Sequence, residues 1–331
     1  MTNENIFHEE DLCRNHFLVT GGAGFIGSHI ADYLLKHNAG KVRVLDNMLN
    51  GFESNLDLLR KYPAFEFIKG DIRDLDTCRQ ACRGIHYVSH QAAMGSVPRS
   101  IKEPYNTNDI NVGGFVNMLN AAVENNVQKF VYASSSSVYG DETTLPKIES
   151  KIGNCLSPYA VSKRADELYA EVFSKIYNLP VIGFRYFNIF GPRQDPDGPY
   201  AAVIPLFVKG LLQNKPVYIN GDGEQTRDFT FVDNAVQVNI KGLLTQNKEA
   251  FNKVYNVAVG ENFSINYLFN SVREDLKMTS KANYRAPRDG DVKNSLADIS
   301  LAKRLLNYSP SVRFDEGLHS TIEFFRKAFE I

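Results

Sequence analysis

The segment His16-Phe17-Leu18-Val19-Thr20-Gly21-Gly22-Ala23-Gly24-Phe25-Ile26-Gly27-Ser28 constrains this chain more than any other. An apolar strand runs into a glycine turn and then into a helix whose Ile26, Ile30 and Leu34 recur at four-residue steps. Gly21 permits the tight turn, Gly24 lets backbone approach a pyrophosphate, and Gly27 lets the helix pack closely on the strand. The helix N-terminus offers N–H groups to the anion. The spacing is G-x-x-G-x-x-G rather than G-x-G-x-x-G, but the strand before it and the helix after it satisfy the context that a dinucleotide loop needs.

A second strand, Val42-Arg43-Val44-Leu45, ends at Asp46, nineteen residues past Gly27. That is close to the roughly 20-residue offset of the acid that takes a ribose diol. A carboxylate there accepts from two hydroxyls and repels a 2′-phosphate, so NAD is favoured over NADP. Two observations stand against it: an Asp at a strand end is often a turn residue, and Arg43 lies nearby. A third strand, Phe65 to Lys69, leads to Gly70-Asp71-Ile72, where such folds contact adenine; Asp71 is alternatively the N-cap of the next helix.

Strands near 16–20, 42–46, 65–69, 86–90, 129–134 and 181–186 alternate with helical stretches. The pattern predicts an α/β fold, a doubly wound parallel sheet of Rossmann type with a smaller α/β substrate lobe. Residues 1–184 plus about 228–258 form the expected NAD-binding part, and 185–227 plus about 259–331 the substrate lobe, with a helix near 202–213 and a short strand at 217–219. A length of 331 residues with 43% hydrophobic content supports a core of this size.

Chemistry is carried by two later segments. Phe130-Val131-Tyr132-Ala133 runs into four serines, Ser134 to Ser137, then Val138-Tyr139-Gly140, which places hydroxyls at the carboxyl edge of the sheet. In Ser157-Pro158-Tyr159-Ala160-Val161-Ser162-Lys163, Ser157 suits an N-cap and Pro158 the first helical position, so Tyr159 and Lys163 share one helix face. Free tyrosine titrates near ~10, and a neighbouring cation such as Lys163 favours its phenolate.

These features, with Arg185-Tyr186-Phe187-Asn188-Ile189-Phe190-Gly191-Pro192, resemble the extended short-chain dehydrogenase/reductase superfamily and its nucleotide-sugar epimerases. The resemblance runs from about Phe17 to the C-terminus. It sharpens in His90-Gln91-Ala92-Ala93-Met94-Gly95-Ser96-Val97-Pro98-Arg99-Ser100, in Arg193 to Pro205 and in Val217 to Gly223, which look like bacterial UDP-N-acetylglucosamine 4-epimerases of the surface-polysaccharide type.

The resemblance implies that Tyr159 takes the proton of the sugar 4-hydroxyl while hydride leaves C4 for the nicotinamide. The keto sugar then turns and takes the hydride back on its other face. Ser135 would bond the same hydroxyl, and Lys163 would favour the phenolate and hold the nicotinamide ribose. Residues implied at the cofactor are Gly21, Gly24, Phe25, Ile26, Gly27, Asp46, Asn47, Asp71, Ile72, Gln91, Ala92, Ala93, Tyr159, Lys163 and Tyr186. Those implied at the sugar nucleotide are Gly95, Ser96, Ser135, Ser136, Ser137, Asn188, Gln194, Ala202, Val203, Tyr218, Arg227, Arg288, Asp291 and Ser295. Arg227 and Arg288 suit the diphosphate because a guanidinium donates two parallel hydrogen bonds. Read without the resemblance, Arg227-Asp228 is a surface ion pair, Tyr218 a plain strand residue and Arg288 a solvated loop charge.

Sister reactions leave different marks. The 4,6-dehydratases place Asp-Glu after the catalytic hydroxyl, and UDP-glucuronate decarboxylases a Glu two residues before their Tyr-Gly; here Ser136 and Ser137 stand there. Ser295 matches a position where Tyr confines some relatives to glucose and galactose, so a small residue implies room for an N-acetyl group. The reading is an NAD-dependent 4-epimerase of UDP-GlcNAc and UDP-GalNAc. Its alternatives are the same reaction on UDP-GlcNAcA and UDP-GalNAcA, or an NAD-binding sensor without activity.

A net charge of -1 gives no hint of nucleic acid. Cys13, Cys78, Cys82 and Cys155 form no C-x-x-C, and the segment 1–15 lacks the apolar core of a signal peptide, so a cytoplasmic enzyme with free thiols, no metal and no membrane span is expected. A homodimer is expected through a helix bundle. Its apolar faces are Ala165, Leu168, Tyr169, Val172, Phe173 and Ile176 after Tyr159, and Phe115, Val116, Met118, Leu119 and Ala122 between Asn106 and Asn126. Alternatively both faces are used on the chain's own sheet.

Overall fold

The computed structural model describes residues 5–198, 201–287 and 293–329. Strands β1 (His16–Thr20), β2 (Lys41–Asp46), β3 (Phe65–Lys69), β4 (Tyr87–His90), β5 (Lys129–Ser135), β6 (Val181–Tyr186) and Lys253–Val257 form one seven-stranded sheet. The order is Lys253–Val257, β6, β5, β4, β1, β2, β3, with every pairing parallel. Because β1 pairs with both β2 and β4, the winding reverses there. The carboxyl ends of β1 and β4 therefore open a crevice, the place where open α/β sheets hold ligands.

Helices α1 (Phe25–Lys36), α2 (Glu53–Arg60) and α3 (Leu75–Cys82) follow the first three strands. Between β4 and β5 lie α4 (Val97–Lys102), α5 (Pro104–Asn108) and α6 (Gly114–Glu124), and α7 (Pro158–Tyr177) leads into β6. Apart from the edge strand β3, the sheet is largely buried on both faces, as its near-continuous apolar strands require. Val19 and Val44 point to a core shared with Ile30 and Leu34 of α1, while Leu18 and Leu45 point to the opposite core with Phe115, Phe130 and Phe173.

One expected helix is broken. The stretch from Asn106 to Asn126 is α5, a π-helical turn over 109–113, and α6. Within the turn, Asn111 Oδ1 accepts from the Met94 N–H at 2.7 Å and Asn111 Nδ2 donates to Ser162 Oγ at 3.0 Å, which ties the β4 loop to α7. Phe115, Met118, Leu119 and Ala122 are fully buried in the chain's own core, so that face is not left for a partner. On α7, by contrast, Leu168, Tyr169, Val172 and Ile176 are exposed, while Phe173 is buried.

Helices α8 (Val203–Leu212), α9 (Val232–Leu244), α10 (Ile265–Asp275), α11 (Ser300–Leu306) and α12 (Phe314–Ala328) follow, and the described residues add three two-stranded sheets, one of which pairs Tyr218–Asn220 with Asn283–Arg285. A third core, with Phe190, Phe207, Leu268, Phe269, Phe314 and Ile322, gathers α8, α10 and α12 into a smaller lobe. The cores depart from the expected boundaries at several places, beginning with Tyr186 and Phe187, which pack in the large core. Ala297, Ile299, Ala302, Leu306 and Tyr308 pack into the large core, where the Tyr308 hydroxyl donates to the Ala258 carbonyl at 2.8 Å. Phe229, Phe231 and Val232, counted with the large part, belong to the small core.

One ion pair joins the sheet to α7. Arg185 on β6 is 1% exposed and Glu167 on α7 is 4% exposed, and they meet through two bonds, Nε to Oε1 at 2.8 Å and Nη2 to Oε2 at 2.9 Å. Glu167 also accepts from Ser134 Oγ at 2.7 Å and Arg164 Nη1 at 2.9 Å, and Arg185 donates to the Glu149 carbonyl at 2.9 Å. Burial pushes the Glu167 carboxyl up, but the Arg185 bonds and charge outweigh it and hold the group below its usual range. Glu167→Ala strands a buried guanidinium, so we expect a loss of about 3–5 kcal/mol of stability by urea unfolding. Because the Glu167 value is depressed, its contribution is full above the ordinary carboxylate value and is lost as pH falls through the folded value. The difference between wild type and variant should therefore shrink in acid; a difference constant with pH would contradict this.

Candidate active site

The glycine loop forms as its sequence demands. Gly21 takes the left-handed conformation at φ +67°, and a Cβ there would lie 2.8 Å from the Ala92 nitrogen. A Cβ on Gly27 would lie 2.3 Å from the Gly21 carbonyl oxygen, so α1 closes on the loop only because that atom is missing. No side chain caps α1, whose N-cap is Gly24, and its first N–H groups face the crevice open.

Asp46 ends β2 as expected. Its Oδ2 accepts from the Ala23 N–H at 3.0 Å and its Oδ1 from the Met48 N–H at 2.8 Å, so it braces the glycine loop and presents its remaining lone pairs to the crevice. Burial raises the Asp46 carboxyl, and the two N–H bonds oppose that. Arg43 turns away: its guanidinium lies on the carbonyls of Ala81 and Arg83 and on Glu66. It therefore supplies no cation for a 2′-phosphate beside Asp46. Asp71 is not the N-cap of the next helix, a place taken by Asp74, which accepts from the Asp76 N–H. Instead Asp71 binds Arg73 and holds Asn47 Nδ2 at 2.8 Å, one step behind the crevice wall.

The crevice encloses about 490 Å³. It brings together Gly21, Gly24, Phe25, Ile26, Gly27, Asp46, Asn47, Ile72, Gln91, Ala92, Ala93, Tyr159, Lys163 and Tyr186 of the expected cofactor set. Gly95, Ser135, Asn188 and Gln194, expected at the sugar nucleotide, line it too. Gln91 and Tyr186 are fixed by a residue that sequence reasoning missed. Asn239 Nδ2 donates to the Tyr186 hydroxyl at 2.7 Å, that hydroxyl donates to Gln91 Oε1 at 3.0 Å, and Gln91 Nε2 returns to Asn239 Oδ1 at 3.0 Å. Leu49, Asn50 and Gly51 also line the crevice and carried no motif.

The helix start behaves as read: Ser157 Oγ accepts from the Ala160 N–H at 3.1 Å and Pro158 occupies the first turn. Lys163, 2% exposed, donates to the Ala133 carbonyl at 2.9 Å and to Asp166 Oδ2 at 3.1 Å. Ser135 Oγ accepts from the Ser137 N–H at 3.1 Å, which leaves its proton free to donate. Ser134 is spent on Glu167, and Ser137 Oγ is buried with no partner among the described residues.

A second cavity of about 330 Å³ adjoins the first. Ser135, Tyr159 and Asn188 belong to the walls of both, and the second adds Ser136, Ser137, Arg227 and Ser295. Arg227 and Asp228 are not a surface ion pair. Asp228 is fully buried and accepts from the Val259 and Gly260 N–H groups at 3.1 Å, while Arg227 lies on the Thr226 carbonyl. Lys147, Leu156 and Asn294 line this cavity and were not anticipated. Ser96 caps α4, Ala202 and Val203 start α8, and Tyr218 is exposed beside Arg285; none of these four lines either cavity. Arg288 and Asp291 lie outside the described residues.

Cys78 and Cys82 are buried, and burial pushes both thiols up to about 12. Among the described residues no helix is long and apolar enough to cross a membrane.

Known proteins share this arrangement. A UDP-glucose 4-epimerase of Mycolicibacterium smegmatis is 36% identical over 311 residues, 93% of this chain and 98% of its own length. The structure of a UDP-N-acetylglucosamine 4-epimerase from Methanobrevibacter ruminantium with UDP-N-acetylmuramic acid superposes with a TM-score of 0.90 at 39% identity, covering 95% of this chain and 99% of its own. A UDP-glucuronic acid 4-epimerase from Bacillus cereus with UDP-glucuronic acid and NAD gives 0.87 at 32% identity, covering 95% and 99%. Residues 17–258 match the NAD dependent epimerase/dehydratase family, and the chain belongs to it.

Proposed function

We propose that this chain is an NAD-dependent UDP-sugar 4-epimerase acting on UDP-GlcNAc and UDP-GalNAc. The observation that carries the reading is Tyr159, which stands in the wall between the dinucleotide crevice and the second cavity. A single phenol there reaches a sugar hydroxyl on one side while facing the nicotinamide end of the crevice on the other. NAD, when bound, supplies reversible hydride acceptance at C4. Gly21, Gly24 and Gly27 would receive its pyrophosphate and Asp46 its adenosine ribose.

Within the chain, Tyr159 holds and returns the 4-hydroxyl proton, and Ser135 donates a hydrogen bond to the same oxygen and orients it. Lys163, one helical turn on from Tyr159, lines the same crevice and would hold the nicotinamide ribose. Arg227 and Asn188 grip the diphosphate. Ser136 and Ser137 cannot serve as the acid and base of an elimination, which favours epimerisation over dehydration. Two copies associate through the apolar stripe of α7, where Val161, Leu168, Val172 and Ile176 are each about half exposed or more.

The uronic-acid reading has one observation in its favour: Lys147 lines the second cavity, although its ammonium lies on the Glu142 carbonyl. Comparing turnover on UDP-Glc, UDP-GlcNAc and their two uronic acids decides between the readings.

Tyr159→Phe should lower epimerisation by about 10²–10⁴-fold with fold and NAD content unchanged, because the ring packs alike and only the acid/base oxygen is lost. Both proteins should release NAD, not NADP, on denaturation, and wild type should turn over without added cofactor. Near-normal turnover of the variant would remove Tyr159 from its role.

Ser295→Tyr should narrow the second cavity. Overpacking of this kind costs about 1–3 kcal/mol, or roughly 5- to 150-fold in rate. The loss should fall on UDP-GlcNAc and UDP-GalNAc and spare UDP-Glc and UDP-Gal; equal losses in kcat/KM on both pairs would show that Ser295 is no size gate. Light scattering should give the mass of two chains, and Val172→Glu on the α7 stripe should give the mass of one; a monomeric wild type would overturn the pairing.

A further inference from the structure

Beneath the active-site lysine lies a carboxyl to which the mechanism gives no task. Asp166 is three residues past Lys163, so the two side chains are neighbours along α7. Asp166 is fully buried, and its Oδ2 accepts from the Lys163 ammonium at 3.1 Å. The ammonium has three N–H donors. One goes to the Ala133 carbonyl, one to Asp166, and the third is left toward the crevice that Lys163 lines. The charge that Tyr159 meets is therefore that of a lysine already paired from behind.

The other oxygen, Asp166 Oδ1, is buried with no hydrogen-bond partner among the described residues. A proton taken there breaks no existing bond. Burial raises the carboxyl to about 7, with Lys163 pulling the other way, so its charge changes within the working range of an enzyme. The titratable groups around it are few. Glu167 on the same helix is committed to Arg185 of β6 and to Arg164, and Tyr132 of β5 is fully buried. Beyond Lys163, His90 of β4 is held down at about 3 by burial and by the Lys163 charge, so it stays neutral. Helix α6 and the π-helical turn also pack on α7, and their titratable residues, Glu124 and Asp109, are paired near the surface with Arg79 and Arg73. Arg99 of α4 is half-buried, and Lys102 of α4 and Glu103 between α4 and α5 are exposed.

We propose that Asp166 is a positioning residue that sets, through Lys163, how much positive charge faces the Tyr159 oxygen, and so spreads the acid side of the activity profile over two coupled protonations. This rests on the assignment of Tyr159 and Lys163 as the working pair. With Asp166 ionised, the pair is close to neutral. With Asp166 protonated, the ammonium is uncompensated in a low-dielectric site, where a unit charge acts far more strongly than in water. As pH falls, the proton on Asp166 favours the phenolate at the moment when bulk acid opposes it. The acid limb is then shallower than one ionisation gives, a signature of interacting sites.

The test is Asp166→Asn, which keeps the shape and removes the charge. Two quantities are followed against pH: kcat/KM for the UDP-sugar, and the ultraviolet difference signal of the Tyr159 phenolate, obtained by subtracting the Tyr159→Phe spectrum in each background. We expect the variant to show a single, steeper ionisation displaced to lower pH by about one unit, in both readouts. Superimposable phenolate curves for wild type and variant would overturn the proposal, even if the variant were less stable, because a purely structural role moves stability and not the titration. If Asp166→Asn does not fold, the wild-type phenolate curve decides alone: a shallow transition supports the coupling, and a single-ionisation curve overturns it. Full activity of Tyr159→Phe would instead remove the base assignment, and the spectroscopic comparison would still read the coupling.

Discussion

The double hydrogen bond between Arg185 and Glu167 is the constraint on which the site depends. It joins the carboxyl end of β6 to the middle of α7 inside the protein, and Ser134 at the end of β5 joins the same carboxylate. Such a pair is expensive, because two ions leave water, and its Coulomb energy returns that cost only when the geometry is good and the remaining donors are satisfied. Here Arg164 and Ser134 donate to the carboxylate, and the Glu149 carbonyl accepts from the guanidinium. What the pair adds beyond stability is alignment. Tyr159 and Lys163 ride on the opening turns of α7, so the angle of that helix to the sheet decides whether a phenol lies between the cavities or against one wall. An apolar contact at the same place would allow the helix to slide, whereas a forked bond allows one register.

Around that anchor the charges are arranged in depth. Glu167 is held ionised by three donors, Asp166 is left with one donor and an open oxygen, and His90 is held neutral. Two adjacent acids on one helix thus have opposite fates, and their hydrogen-bond partners, not their burial, separate them. One is a fixed structural charge. The other is free to respond to pH.

Features set by residues close in the chain were legible in the sequence. The glycine loop, the Ser157 cap with Pro158, the sheet strands and the end of β2 at Asp46 each follow from a few consecutive side chains. Features set by distant partners were not. Asn239 supports Gln91 and Tyr186 across about 150 and 50 residues of chain, and nothing near it marks that role. Asn111 drives a π-helical turn because its amide bridges Met94 and Ser162, and periodicity alone reads the stretch as one unbroken helix. The partition into lobes failed at 297–308 for the same reason, since the docking of Tyr308 on Ala258 is a tertiary event. Asp71 lost its cap to Asp74 because both are equally good caps, and only the fold chooses.

The division of labour between the lobes follows from what each ligand half demands. A pyrophosphate needs backbone N–H groups at close range, which a strand, a glycine turn and a helix start supply without any charged side chain. A diphosphate carrying a sugar that must turn over between two hydride positions cannot be clamped by a rigid backbone nest alone. Under the proposed function, long polar side chains such as Arg227 and Asn188, both in the wall of the second cavity, suit that task because they would hold the phosphates and leave the sugar space open. The serine row Ser135 to Ser137 and the small Ser295 keep that space polar and roomy. In the proposed function the one group that must address both halves is Tyr159, which lines both cavities, and the buried ion pair behind its helix fixes the helix that carries it.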